Sequence, residues 1–284
     1  MEVSSVQTVA RREPSYPTLL RELHDPPPML YVRGEADELA APGVAVVGAR
    51  ACSAYGAQVA RALARDLAAA GIVVVSGLAR GVDGEAHRGA LESGGRTIAV
   101  LGCGIDRDYP RSHAELARRI VSSGAVVSEY GPGVEPAPWR FPARNRIIAG
   151  LCRATLVIEA RERSGALITA DFALEEGREV LAVPGEITSM LSAGTNALLR
   201  LGATPVTCVE DVLESYGLER VSANRVSLGP TAEKLLARLG DGALTADEVV
   251  RASGVQPGDG AAALVELELA GRVTLEDGVY RAAV

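Results

Sequence analysis

The residues best placed to do chemistry lie in Trp139–Leu151, WRFPARNRIIAGL. Trp139 and Phe141 bracket Arg140, Pro142 follows, and Arg144 and Arg146 flank Asn145 ahead of Ile147-Ile148-Ala149. Proline is tolerated in the first turn of a helix, where its fixed φ suits the backbone. The pattern predicts a helix with Pro142 at its start, Arg144, Asn145 and Arg146 in its first turn and the isoleucines turned inward. Two cations at that end oppose the helix dipole, which favours anions. Their natural use is a bound anion, held together with the free backbone N–H groups of the turn. Trp139 and Phe141 add a stacking face, and a ring beside a phosphate-neutralising cation is what a single-stranded nucleic acid needs. A second reading stands beside this one: Arg144 and Arg146 paired with carboxylates, and Phe141 in the core.

Glycine-rich turns supply the next group. Gly48-Ala49-Arg50 leads into Ser53, Tyr55 and Gly56, and Ser76-Gly77-Leu78-Ala79-Arg80-Gly81 leads into Val82-Asp83 and His87. Neither is a G-x-G-x-x-G dinucleotide fingerprint, and no G-x-x-x-x-G-K-[ST] phosphate loop exists. Glycines allow close backbone approach, and successive N–H groups can cradle an anion. Arg50 and Arg80 flank those turns; an Arg80–Asp83 ion pair competes with a ligand role for Arg80. Asp83 and His87 share a helix face, but no nucleophile or metal set accompanies them, so they read as a helix cap and a packed histidine. Asp106 and Asp108 lack the further oxygen ligands a metal requires. Ser112 to Glu115 has the form of a capping box, and Ser164 that of an N-cap.

The elements that must position these residues alternate. Strand-like runs at Val44–Val47, Ile72–Val75, Thr97–Leu101, Ala125–Ser128, Ala154–Ile158, Glu179–Val183 and Thr204–Thr207 are short and continuous. That is how strands buried on both faces of a parallel sheet read. Helical periodicity lies between them, as at Val59, Leu63 and Leu67. The alternation implies an α/β, doubly wound, mostly parallel sheet with ligands at the carboxyl ends of its strands. Residues 1–15 read as a flexible lead-in, and residues 16–43 as an arm packed on the sheet domain of residues 44–216. Residues 217–229 read as a linker, and residues 230–284 as a small winged-helix domain of three helices and a hairpin. Residues 225–284 hold six basic and nine acidic groups, so this tail reads as a protein-interaction or spacer module.

The whole chain of 284 residues carries a net charge of −7, not the basic footprint of a general nucleic-acid binder. Lys234 is its only lysine, so every basic side chain ahead of it is an arginine, a planar bidentate phosphate ligand. The four cysteines are scattered, no C-x-x-C occurs, and no apolar run is long enough to span a membrane. These features point to a reducing cytoplasm and against structural zinc.

Taken together, the motifs resemble the DprA/Smf family. They are G-A-R, S-G-L-A-R-G-V-D-x-x-A-H, T-I-A-V-L-G-x-G-x-D-x-x-Y-P, S-E-Y-x-P-G, F-P-x-R-N-R-I-I-x-G-L, S-G-A-L-I-T-A, G-R-E-V-x-A-V-P-G and S-x-G-x-N-x-L, between about Tyr16 and Leu213. The resemblance implies an extended Rossmann-like domain with a winged-helix appendage that binds single-stranded DNA without covalent chemistry, cofactor or metal. It implies protection of incoming strands during natural transformation, loading of the RecA recombinase, a homodimer, and a single-strand-binding protein as a further partner. It places the DNA pocket at Gly48, Ala49, Arg50, Ser76, Gly77, Arg80, Gly81, Phe141, Pro142, Arg144, Asn145 and Arg146. It places a dimer or recombinase contact at Asn196, Leu199 and Arg200. Where many members have a basic residue after Pro142, this chain has Ala143. Many members also carry a helical domain ahead of the Tyr16 arm, where about fifteen residues stand here. The alternative is a nucleotide-processing enzyme of phosphoribohydrolase type using the same strand-end pocket, with Glu159 as its acid. Its P-G-G-x-G-T-x-x-E signature is not matched at Glu159–Ala166.

Overall fold

Five of the seven expected runs become strands with every residue buried, as runs apolar on both faces require; the run from Glu179 begins half-buried, and the run from Thr204 gives only the two-residue strand Thr204–Pro205, which is not buried. The computed structural model describes residues 6–217, 228–240, 242–276 and 278–282. Its first unit, Met1–Glu219, opens with β1 (Gln7–Ala10), α1 (Thr18–Arg21), β2 (Met29–Gly34), β3 (Gly43–Val47), α2 (Ala54–Ala69), β4 (Val73–Ser76) and α3 (Val82–Glu92). There follow β5 (Thr97–Leu101), α4 (Ala114–Ser123), β6 (Ala125–Ser128), α5 (Arg140–Gly150), β7 (Ala154–Val157) and α6 (Gly165–Glu175). The unit closes with β8 (Glu179–Ala182), α7 (Ala193–Arg200), β9 (Thr204–Pro205) and α8 (Val209–Glu214).

The sheet order is β1-β2-β6-β5-β4-β3-β7-β8-β9. From β6 to β9 all neighbours are parallel, while β1 and β2 form an antiparallel edge. The parallel sheet begins in its middle, at β3, and grows first toward β6 and then, from β7, the other way. Loops leaving β3 and β7 therefore diverge and open a crevice at the carboxyl ends of the strands. Alternate residues face opposite cores. Val44, Val46 and Val74 meet Val59, Leu63 and Leu67 of α2, while Ala45, Val47 and Val75 share a core with Ile147 and Ile148 of α5.

Several local expectations are corrected. The chain before residue 16 is not wholly a loose lead-in: Gln7–Ala10 pairs with Met29–Val32, which continues onto β6. Helix α5 starts at Arg140, so Pro142 is its third residue and Arg144 to Arg146 lie in the second turn. Proline fits anywhere in a first turn whose N–H groups lack intrahelical partners, so it does not mark the first residue. The capping box at Ser112 does not form. A 3-10 turn over Arg111–His113 leads into α4, and His113 turns inward to donate from Nδ1 to the Leu78 carbonyl at 3.0 Å. Helix α7, Ala193–Arg200, carries Asn196, Leu199 and Arg200 on one element.

The second unit, Arg220–Val284, comprises α9 (Pro230–Leu239), β10 (Leu244–Thr245), α10 (Ala246–Ser253), α11 (Pro257–Leu269), β11 (Val273–Glu276) and β12 (Val279–Ala282). Its strands order as β10-β12-β11 around a core that includes Leu235, Leu239, Val249, Leu264 and Leu267. Thr245 and Glu248 form a capping box at the start of α10. Most of the expected linker, 218–227, lies outside the described residues. No helix among the described residues is long and apolar enough to cross a membrane.

Candidate nucleic-acid interface

Two loops meet backbone to backbone at the carboxyl end of the sheet. Val82 N–H donates to the Ala49 carbonyl at 3.2 Å, and Ala49 N–H to the Glu159 carbonyl at 2.7 Å. Gly81 has φ +74°, and a Cβ there would lie 2.3 Å from Ala49 O and 2.6 Å from Arg50 O. A Cβ on Gly48 would strike Val82 Cγ2 at 2.6 Å. These glycines let the β3–α2 and β4–α3 loops touch, and that contact puts exposed Arg50 and Arg80 on one rim. Glu159 braces the first loop. Its carboxylate accepts from Ser53 N–H at 2.9 Å and Ser53 Oγ at 2.5 Å, while Ser53 Oγ caps α2 by accepting from Gly56 N–H.

The turn after β4 is built over a buried carboxylate. Asp83 Oδ2 accepts from Gly77 N–H at 3.1 Å and Ala79 N–H at 3.3 Å. The anion nest expected from the glycines is thus filled by the protein's own side chain, and Asp83 makes no ion pair with Arg80. Burial raises the Asp83 pKa, with the charge of Arg144 opposing. Buried Ser76 donates to the Val46 carbonyl at 2.7 Å, joining β4 to β3. Arg144 lies beneath the same turn, 4% exposed, and its Nη1 donates to the carbonyls of Gly77 (2.7 Å) and Val100. Burial lowers its pKa to about 10, so it stays charged at neutral pH. Arg144 thus lies in the crevice floor, tied to two backbone carbonyls.

The remaining α5 residues divide. Arg146 is bidentate to Glu129 at 3.0 and 2.8 Å and reaches Asp25 Oδ2 at 3.2 Å, clipping the arm to the sheet domain. Asn145 Nδ2 donates to the Gly165 carbonyl at 3.1 Å and ties α5 to the start of α6, where Ser164 caps. Phe141 is partly buried, stacked on Tyr109 at 5.3 Å between centroids, with the Arg50 guanidinium 5.5 Å from its ring centre. Pro142 is exposed beside it. Trp139 is 62% exposed, with Arg140 over its ring. Further along, Asn196 staples the loop after β8 through both the N–H and the carbonyl of Gly185. Leu199 packs against the sheet core, and Arg200 alone of the three contact residues is exposed.

The crevice has two lobes sharing Arg50, Ala51, Ala79, Phe141 and Arg144 as their common wall. The first, about 450 Å³, adds Arg161, Arg163 and Ser164 from the loop after β7. The second, about 800 Å³, adds Arg80, Tyr109 and Arg111. Arg50, Arg80, Arg111, Arg161 and Arg163 are exposed and carry no ion pair among the described residues. Other charges nearby are neutralised: Arg107 pairs with Glu135 at 2.7 Å and Asp108 with Arg33 at 2.7 Å. An acidic chain thus sets five such cations around one crevice at the carboxyl ends of its strands. Sequence reasoning missed Arg161, Arg163, Tyr109 and Arg111. The signal available was their position, since they follow β7 and β5 at the strand ends.

Fold and crevice together define a doubly wound α/β protein with an arginine-lined, aromatic-walled crevice at the switch point of its sheet. The family described as DNA recombination-mediator protein A matches residues 7–217, and the DprA winged helix domain matches residues 222–278. The chain belongs to the DprA/Smf family. It is 49% identical over 201 residues to the DNA processing protein DprA of Streptococcus pneumoniae, covering 71% of each chain. The X-ray structure of DprA from that organism superposes with a TM-score of 0.71 at 46% identity over 74% of each chain. DNA processing protein A of Helicobacter pylori, whose structural study concerns its single-stranded DNA binding mode, superposes with a TM-score of 0.67 at 31% identity. That match covers 75% of this chain and 97% of that one.

Proposed function

We propose that this chain binds single-stranded DNA in the two-lobed crevice, protects it, and loads the RecA recombinase onto it in the cytoplasm, acting as a dimer without covalent chemistry. The observation that carries the reading is the set of five unpaired arginines around the Arg50–Phe141–Tyr109 wall. Guanidinium groups neutralise phosphates while rings take bases, and the combination is sequence-tolerant because every base has a π-face. The single-strand binding of the Helicobacter pylori relative supports it. In this assignment Arg50, Arg80, Arg111, Arg161 and Arg163 meet the strand. Gly48, Ala49, Ser76, Gly77, Gly81, Pro142, Arg144, Asn145 and Arg146 shape and hold the wall. Arg200, on the exposed side of α7, is the residue left free for a dimer or recombinase contact. The enzymatic alternative finds no support at Glu159, whose carboxylate is committed to Ser53.

The test is RecA filament nucleation on oligo-dT coated with a single-strand-binding protein. Wild-type chain is expected to shorten the lag, and Arg50→Ala to lose that effect at equal concentration. An unchanged lag with wild type contradicts the loading role, while base release from nucleoside monophosphates would revive the enzyme.

A further inference from the structure

The loop after β5, Gly102–Pro110, carries the G-C-G-I-D-R-D-Y-P motif into the second lobe. Most of its polar groups fix the loop in place. Asp106 Oδ1 accepts from Gly133 N–H at 2.9 Å, Arg107 pairs with Glu135, and Asp108 pairs with Arg33. Tyr109 is different. It is 44% exposed, lines the lobe, and stacks on Phe141 with 28° between the ring planes. Arg111, two residues on, is exposed and unpaired among the described residues.

The two rings are not equivalent. Phe141 is the inner one, seated against Gly102, where a Cβ would come within 2.9 Å of its Cδ1, and it has the Arg50 guanidinium over its face. The rings already touch, so no base fits between them. The ring that offers an open face is Tyr109. A rigid ring backed by a second ring loses little entropy on accepting a planar ligand, and offset stacking is its preferred geometry.

We infer that Tyr109 is the platform on which a nucleobase of the bound single strand stacks in the second lobe, with Phe141 as its backing and Arg111 neutralising the adjoining phosphate. The inference rests on the single-strand reading and adds to it a base subsite on the β5–α4 loop. Stacking releases no counterions, whereas a phosphate contact does. Loss of the ring and loss of the cation therefore leave different marks on binding.

The experiment uses the full chain and oligo-dT carrying one 5-iodouracil, cross-linked by near-ultraviolet light and mapped by mass spectrometry, with affinities over a salt series. The expected cross-link falls on Tyr109. Tyr109→Leu is expected to weaken binding by roughly 5- to 150-fold, the factor equivalent to one stacked base, with the salt slope unchanged. Tyr109→Phe is expected to bind like wild type, and Arg111→Ala to lower the slope by about 0.7. The cross-link is read on the wild-type chain, so it does not depend on a variant folding. Cross-linking confined to Trp139 or Phe141, or full affinity in Tyr109→Leu, overturns the inference and leaves the single-strand reading intact. Wild type that does not bind oligo-dT overturns both.

Discussion

A Cβ on Gly77 would lie 2.4 Å from Arg144 Nη1 and 2.6 Å from its Cζ. Gly77→Ala is therefore expected to push the guanidinium off the Gly77 and Val100 carbonyls and destabilise the chain by roughly 3 kcal/mol, the upper end for overpacking. The midpoint of urea unfolding at constant m-value measures it. His87 gives a second expectation. Thr97 Oγ1 donates to the Val74 carbonyl at 2.6 Å, so it accepts from His87 Nδ1–H at 2.7 Å, and His87 Nε2 is left without a partner. Burial first, then the charges of His113, Arg144 and Arg88, push the His87 pKa down to about 3. Unfolded histidine titrates near 6.5, so between those values the unfolded chain holds the extra proton and stability falls as pH falls. The contribution is at most about 1.4 kcal/mol per pH unit, and His87→Gln is expected to remove it. Unfolding midpoints between pH 7 and 4 that run parallel in both proteins would contradict this. At this scale the sequence shows residue types but not pairings. Arg144 and Arg146 look like the phosphate ligands and are bonded within the protein, while Arg161 and Arg163 carry no ion pair among the described residues.

Helix α5 shows what was legible among the elements. Its inward isoleucines follow from spacing, but its start does not, because proline fits several positions of a first turn. The parallel strands were legible because burial on both faces writes a continuous apolar run. The β1 strand was not: its four residues, Gln7–Ala10, pair with β2 across an intervening stretch, residues 11–28, that includes α1. The 3-10 turn before α4 was hidden for a similar reason, since the His113–Leu78 bond that shapes it spans 35 positions. The arm itself is joined to α5 by Arg146, whose bonds reach Asp25 and Glu129. Arg146→Ala is expected to loosen that clip, lowering stability by about 1.5–3 kcal/mol, as for hydrogen bonds to charged groups, while leaving the salt dependence of DNA binding untouched. Thermal unfolding and a binding salt series on the same variant separate the two effects.

Across the whole molecule, net charge misleads. The chain carries −7 overall, yet five unpaired arginines surround one crevice, and such local fields act within a Debye length of about 8 Å at physiological salt. The second unit is acidic over residues 225–284, with six basic and nine acidic groups, so Lys234→Ala combined with Arg272→Ala is expected to leave single-strand affinity and its salt slope unchanged. Fluorescence anisotropy with labelled oligo-dT checks this. The most direct measurement extends the same assay to a matching duplex and to Arg50→Ala, since Arg50 belongs to both lobes and lies over Phe141. With five phosphates neutralised, the log–log salt slope for the single strand should be about −3.5. The expected result is a preference for the single strand in wild type, and in Arg50→Ala a weaker affinity with a slope shallower by about 0.7. Equal affinity for both nucleic acids in wild type, or an unaltered slope in Arg50→Ala, would contradict the assignment of the crevice to single-stranded DNA.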